Sequence, residues 1–294
     1  MPPVGRANAK PKKQRRYIAA MLPEDDQVEL IAQVAGGGAG VLVGIGDDAA
    51  VLTGGVLVSS DMLVDGVHFD RSRLSSRQIG HRAAGANLSD LAAMGGAATC
   101  LVASFGVPVG FHEVQELAAG LANHGVPLAG GDLVRSPVLV VSVTVVGHAD
   151  NPVQRDGGVP GDVLIVSGPL GGQAASGYTL PVTPRLAEGA LLAKTAHAMI
   201  DISDGIATDA RRLARACGTG ALIELERLPL GPGATVEQAA AGGEDYELLA
   251  AVPPHAPLPG WATVVGRLTA DPQVVLLDAD GRDRDDLQGH DHFR

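Results

Sequence analysis

The sequence of 294 residues contains no G-x-x-x-x-G-K-[ST] loop and no paired H-R-D and D-F-G motifs, so neither a P-loop nor a protein-kinase cradle is available for a nucleotide. The "SGPLGG" stretch at 167–172 is too weak a glycine pattern to serve as a dinucleotide fingerprint. Cysteine is scarce: Cys100 and Cys217 lie far apart with no Cys-x-x-Cys spacing, which excludes a disulfide framework and fits ordinary thiols in a reducing cytosol. Neither His-Glu-x-x-His nor a compact His/Cys cluster occurs, so no zinc site is visible. Positive charge is short as well. A formal net charge of −11 opposes a nucleic-acid or anionic-membrane surface, and any phosphate ligand has to be neutralised locally. The one basic run, "KPKKQRR" at 10–16, has no apolar stretch behind it and is neither a secretory signal nor a membrane span. Residues 1–20 are expected to form a flexible leader, with Met21 as an alternative start.

What remains is a globular composition. Hydrophobic residues make up 46% and charged residues 19%, and 40 glycines with 3% aromatics point to tight turns and small-residue packing. The length implies two domains of roughly 120 to 150 residues each. The pattern predicts a helix over 25–34, strands at 41–45 and 55–60, and a long helix over 75–94 that opens on the cap-like "SSRQ" and stops at Gly95-Gly96. A strand at 99–105, a helix over 111–123 and a strong β-run at 138–149 follow. The turn-rich "DNPVQRDGGVPGD", 150–162, separates an N-terminal domain (21–149) from a C-terminal one (150–294). The second half reads as strand "VLIVSG", a helix ending near Lys194, strand "AMIDIS", a helix over 207–217 closed by Gly218, strand "ALIELERL", and the loop "AGGEDYELLAAV" leading into another strand. Strands and helices are mixed in both halves, so the fold class is α+β with antiparallel pairing. No close internal repeat is present.

Carboxylates concentrate at the turns of this pattern. "GIGDDAAVL" at 44–52 and "DMLVDGVHF" at 61–69 place Asp47, Asp48, Asp61 and Asp65 at the ends of two strands, where they repel one another unless a cation lies between them. Asp90 lies mid-helix in "GANLSDLAAMG", on a face shared with Ile79, Ala83, Asn87 and Met94 that is otherwise largely apolar. An ionised carboxylate there needs either a cation or the N–H groups of a neighbouring loop, and the sequence leaves both open. Further acids occur in "AGGDLV" (Asp132) and "IDISDG" (Asp201, Asp204). Each Asp-Gly turn alone is ordinary turn chemistry; several at strand ends, with oxygen donors only, select magnesium or calcium over zinc. Ser203 or Asp204 is also expected to cap the helix that follows, where free N–H groups suit a phosphate.

Taken in order, "GIGDDAAVL", "VSSDMLVDGVHF", "NLSDLAAMG", "AGGD", "RDGGVPGD", "IDISDG", "GGEDYELL" and "GHDHF" span 44–293, and together they resemble the thiamine-monophosphate kinase family of the aminoimidazole ribonucleotide synthetase-like superfamily. The resemblance implies a two-domain α+β fold whose N-terminal sheet completes a barrel across a homodimer. It implies a cytoplasmic enzyme that uses ATP as co-substrate and several Mg²⁺ ions to phosphorylate thiamine monophosphate to thiamine diphosphate. By motif position, Asp48, Ser59, Ser60, Asp61, Asp90, Asp132, Asp201 and Asp204 would hold metal. Gly131, Asp132, Arg155 and Ser203 would contact ATP, and His68 and Glu244 would face the substrate. No general base is assigned, because the acceptor is already a phosphate oxygen. Three features depart from the family pattern: His290 stands where an aromatic ring is expected beside the substrate, the 171–184 stretch is short, and the basic leader has no counterpart. Alternatives are another ATP-using enzyme of the superfamily or a non-catalytic nucleotide-binding homologue. A selenophosphate synthetase would carry a reactive cysteine beside an N-terminal lysine, and a hydrogenase-maturation protein a C-terminal cysteine where this chain has Arg294.

Overall fold

The computed structural model describes residues 22–290; the expected leader at 1–20, and the His292-Phe293 end of the last motif, lie outside the described residues. The chain folds as α1 (Glu24–Ala35), β1 (Val41–Val43), β2 (Ala50–Leu52), β3 (Val56–Val64), α2 (Ser76–Ala93), β4 (Ala97–Val107), α3 (Val114–Ala122), β5 (Leu128–Arg135) and β6 (Val140–His148). It continues through β7 (Val163–Val166), α4 (Gly172–Ser176), α5 (Leu186–Leu192), β8 (Ala198–Ile202), α6 (Ile206–Cys217), β9 (Gly220–Glu224), α7 (Val236–Ala241), β10 (Glu247–Val252), β11 (Thr263–Thr269) and β12 (Val274–Leu277). The first six strands form one sheet in the order β1-β2-β3-β6-β4-β5, and the last six form another in the order β12-β9-β11-β7-β10-β8. Pairing is antiparallel except for β4 with β5 and β9 with β12. This is the mixed, largely antiparallel α+β arrangement expected from the sequence.

Helix α2 joins the two halves. Its start is a capping box: Gln78 N donates to Ser75 Oγ at 3.3 Å, and Ser75 N donates to Gln78 Oε1 at 2.9 Å. The predicted apolar face is buried, but so are 14 of the 18 residues, which makes α2 an interior helix rather than a surface one. Leu88 and Leu91 enter the core under the first sheet, while Ala92 and Ala93 pack beneath the second with Met199, Leu248 and Ala250. Small residues make this possible. A Cβ on Gly80 would meet Leu117 O at 2.1 Å and one on Gly120 would meet Arg77 O at 2.1 Å, so α2 and α3 cross through a glycine contact that no side chain could enter.

The strand expected at 55–60 runs on to Val64, so Asp61 lies inside β3 rather than at a strand end, and two further elements differ from expectation. The "AGGDLV" segment is the interior of β5, an edge strand exposed along its whole length, and not a turn. Its glycines and aspartate read as a loop, but pairing with β4 overrides that local preference. The N-cap of α6 is Gly205, at φ +105°, rather than Ser203 or Asp204, and Asp204 N is met instead by Asp209 Oδ2 at 3.0 Å.

Candidate active site

Between the two sheets lies a cavity of about 820 Å³. Its floor is acidic because several elements converge there. The 44–49 segment between β1 and β2 brings Asp47 and Asp48; β3 brings Ser59 and Asp61; α2 brings Asp90; β8 and the turn after it bring Asp201 and Asp204. Asp48, Asp90 and Asp201 each offer a carboxylate oxygen, and these atoms lie within 4.8 Å of one another. At an effective dielectric of about 20, two ionised carboxylates at that separation repel by roughly 3 kcal/mol.

The neighbours of these acids hold them in place but do not cancel their charge. Arg155 donates to Asp48 through Nη2 at 2.7 Å and Nε at 3.1 Å, and its backbone N donates to Asp47 Oδ2 at 3.1 Å. Burial works against the Arg155 charge, but Asp48, Asp47 and Asp201 outweigh it and hold the guanidinium above its ordinary range. Ser59 Oγ donates to Asp90 Oδ2 at 2.5 Å, and Asp61 N donates to Asn87 Oδ1 at 3.1 Å, which ties β3 to α2. Arg212 bridges Asp204 and the buried Asp209. One oxygen of Asp201, Oδ2, is buried with no hydrogen-bond partner.

The titration of the cluster reflects this. Burial, then repulsion from Asp61, Asp201 and Asp48, pushes Asp90 well above the carboxylate range. Burial and Asp48 do the same to Asp201. Burial and the Glu244 and Asp204 charges raise Asp61 to about 6, burial and Asp48 raise Asp47 to about 6, and burial and Asp204 raise Asp209 to about 7. Without a cation these groups are held toward the protonated form. An orphaned buried carboxylate oxygen inside an oxygen-only donor set fits a hard divalent cation such as Mg²⁺.

The other expected residues divide by position. Asp48, Ser59, Ser60, Asp61, His68, Asp90, Arg155, Asp201, Ser203, Asp204, Glu244 and His290 all line the cavity. Ser60 does so from the opposite face of β3 from its neighbours: its hydroxyl lies 2.8 Å from Thr144 Oγ1, because side chains alternate along a strand. His68 Nδ1 accepts from Val64 N at 3.0 Å, and His290 N donates to Asp204 O at 3.1 Å. Gly131 and Asp132 are not brought to the cavity; they sit on exposed β5. Sequence reasoning missed Arg82, Asn87 and Arg212. A basic residue inside the alanine-rich run "GHRAAGANLSD" was the visible signal for Arg82.

Residues 46–149 match the AIR synthase related protein family, N-terminal domain. The chain is 38% identical to the thiamine-monophosphate kinase of Halobacterium salinarum, covering 82% of this chain and 93% of that one. It is 36% identical to the Mycobacterium tuberculosis protein of the same name, covering 82% of this chain and 83% of that one. The solved structure of AaThiL complexed with AMPPCP and TMP superposes with a TM-score of 0.83 at 29% identity, covering 92% of this chain and 97% of that one.

Proposed function

Because the chain belongs to the thiamine-monophosphate kinase family, we infer that it transfers the γ-phosphoryl group of ATP to a phosphate oxygen of thiamine monophosphate, giving thiamine diphosphate and ADP. The observation that carries this reading is the trio Asp48, Asp90 and Asp201, drawn from both halves of the chain around an unpartnered buried oxygen. Nine carboxylates line the cavity against the three guanidiniums of Arg73, Arg155 and Arg212, so an anionic triphosphate needs cations to enter.

Asp48, Asp90 and Asp201 would hold Mg²⁺, with Ser59, Asp61 and Asp204 beside them, whereas the Ser60 hydroxyl, turned to Thr144 on the other face of β3, would not. When bound, Mg²⁺ supplies charge neutralisation at the phosphoryl oxygens. Arg155 fixes Asp48 and faces the nucleotide phosphates together with Ser203. His68, Glu244 and His290 border the acceptor. The acceptor oxygen is already ionised, so positioning and charge supply the acceleration and no residue has to remove a proton. Ready access to ATP places such an enzyme in the cytoplasm, and among the described residues no helix is long and apolar enough to cross a membrane.

A homodimer is part of this reading. The face of the first sheet that turns away from α2 exposes Met62 at 56% and Val102 at 37%, and among the described residues β5 offers an unpaired edge. Two such faces would close a barrel, and a second subunit would cover Gly131 and Asp132, which stand outside the cavity of their own chain.

Incubation with ATP, Mg²⁺ and thiamine monophosphate, with thiamine and an aminoimidazole ribonucleotide precursor as controls, tests the assignment. Thiamine diphosphate and ADP are expected from thiamine monophosphate alone, since thiamine offers an un-ionised alcohol in place of the anionic phosphate oxygen. Comparable phosphorylation of thiamine would overturn it.

A further inference from the structure

Arg82 is 2% exposed, yet its side chain serves no part of the acidic cluster. It leaves α2 two turns before Asp90 and reaches into the second half of the molecule. Its Nη1 pairs with Glu244, and its Nη2 donates to Gln173 Oε1 at 2.9 Å and to Tyr178 O at 2.8 Å. Glu244 and Tyr178 line the cavity, whereas Arg82 does not.

These two segments are also where the backbone is strained. Among the described residues only Tyr178, Glu244 and Tyr246 are non-glycine residues at positive φ, at 63°, 62° and 52°. Such conformations persist only where the surroundings over-determine them. The bonds that hold them include Glu244 N to Ser203 O at 2.6 Å, Tyr178 N to Gln173 O at 2.6 Å, Tyr246 N to Ile202 O at 2.9 Å, Tyr178 Oη to Gly242 O at 3.0 Å, Gly171 N to Asp245 Oδ2 at 2.6 Å, and the Arg82 fork. Of these, only Arg82 belongs to the helix that carries Asp90. Eight residues of α-helix separate the two side chains by about 12 Å along the axis. The pairing of Glu244 with the buried Arg82 guanidinium fixes where that carboxylate points.

We propose that Arg82 is the positioning residue for the acceptor substrate: it pins Glu244 and the Tyr178 segment at a fixed distance from Asp90, so that a single rigid helix sets the spacing between the acceptor pocket and the phosphoryl-transfer centre. The proposal rests on the kinase reading above. It predicts a split between the two substrates, because the fork borders the acceptor side and not Asp48, Asp201 or Arg155.

Steady-state kinetics of Arg82→Lys, Arg82→Met, Glu244→Gln and the double variant Arg82→Lys/Glu244→Gln test it, with melting temperatures measured on the same preparations. Lysine keeps the charge but loses the planar fork. Arg82→Lys is expected to raise KM for thiamine monophosphate about tenfold and leave KM for ATP within about twofold. Arg82→Met is expected to raise the former further. The double variant should be no worse in KM than Glu244→Gln alone, because both changes break one unit. Equal increases in the two KM values, additive effects in the double variant, or a lowered melting temperature with unchanged KM values would each overturn the proposal. If Arg82→Met does not fold, Arg82→Lys decides; if neither folds, the residue is structural and the proposal is wrong. Wild-type protein that fails to phosphorylate thiamine monophosphate would sink the kinase reading and this inference with it, whereas an active wild type with an unaltered Arg82→Lys sinks the inference alone.

Discussion

The two sheets hold six strands each but are finished differently. In the second, β8 and β10 are buried at every position. Alternate residues of β8 and β10 face opposite cores: Ile200, Ile202 and Leu249 pack against α6 and α7, while Met199, Leu248 and Ala250 pack against the end of α2 and α5. In the first sheet, β6 alternates between buried and half-exposed positions, and β5 is exposed throughout. Among the described residues, only the face toward α2 and α3 is covered. Strands β8 and β10 of the second sheet are covered on both faces and the first sheet on one, among the described residues, and the open face of the first is the one we propose a second subunit covers.

The largest loss is expected at the two-sided sheet. Leu248→Asp puts an unpaired carboxylate between two layers, at a cost of several kcal/mol, and the chain is expected to show no cooperative thermal transition near the wild-type value. The same chemistry on the open face should be nearly silent within one chain. Val102→Asp is expected to move the melting temperature by only a few degrees through the fold itself while converting a dimer to a monomer in light scattering. An unchanged mass would show that this face is not the interface, and a folded Leu248→Asp protein would show that the second sheet is not sealed.

A smaller effect separates the cavity from both sheets. Asp47, Asp61 and Asp209 titrate in the folded chain at about 6, about 6 and about 7, above their unfolded values. For an acid raised on folding, the unfolded chain releases its proton first, so stability falls as pH rises from the unfolded pKa to the folded one. Metal-free protein in EDTA should therefore be more stable at pH 5 than at pH 8, by about 1.4 kcal/mol for each pH unit by which a group's folded pKa lies above 5, each group acting alone. Thermal melts across that range check the sign; a rise in stability toward pH 8 without metal would show that the acids are not crowded.

Much of this was legible in the sequence where local chemistry and global packing agree. The capping box at Ser75 and the double glycine after Met94 delimit α2 to within a residue or two, and the acidic turns that converge on the cavity could be named from motif order. Strand β5 was not legible, because "LAGGDLVR" has the composition of a turn and becomes a strand only by pairing with β4 across a long connection. The position of Asp132 was lost with it. Arg82 was missed for a related reason: periodicity assigns a residue to a face, but cannot show that the opposite face of α2 is also buried, nor that Glu244, 162 residues later, waits there. Ser60 shows the same limit at short range, since a motif groups Ser59, Ser60 and Asp61 while strand alternation sends the middle side chain to the other face.

Phosphoryl transfer is proposed to depend on a cation held by Asp48, Asp90 and Asp201. Melting temperature and turnover measured together against Mg²⁺ concentration at pH 8, for wild type and Asp90→Asn, test it most directly. Metal-free wild type should be inactive, then gain both stability and turnover as Mg²⁺ is added. Asp90→Asn, with one charge fewer in the cluster, should start at least as stable, respond weakly to Mg²⁺ and lose turnover by about a thousandfold or more. Full turnover by verified metal-free wild type, or an Asp90→Asn enzyme that is less stable but normally active, would contradict the account.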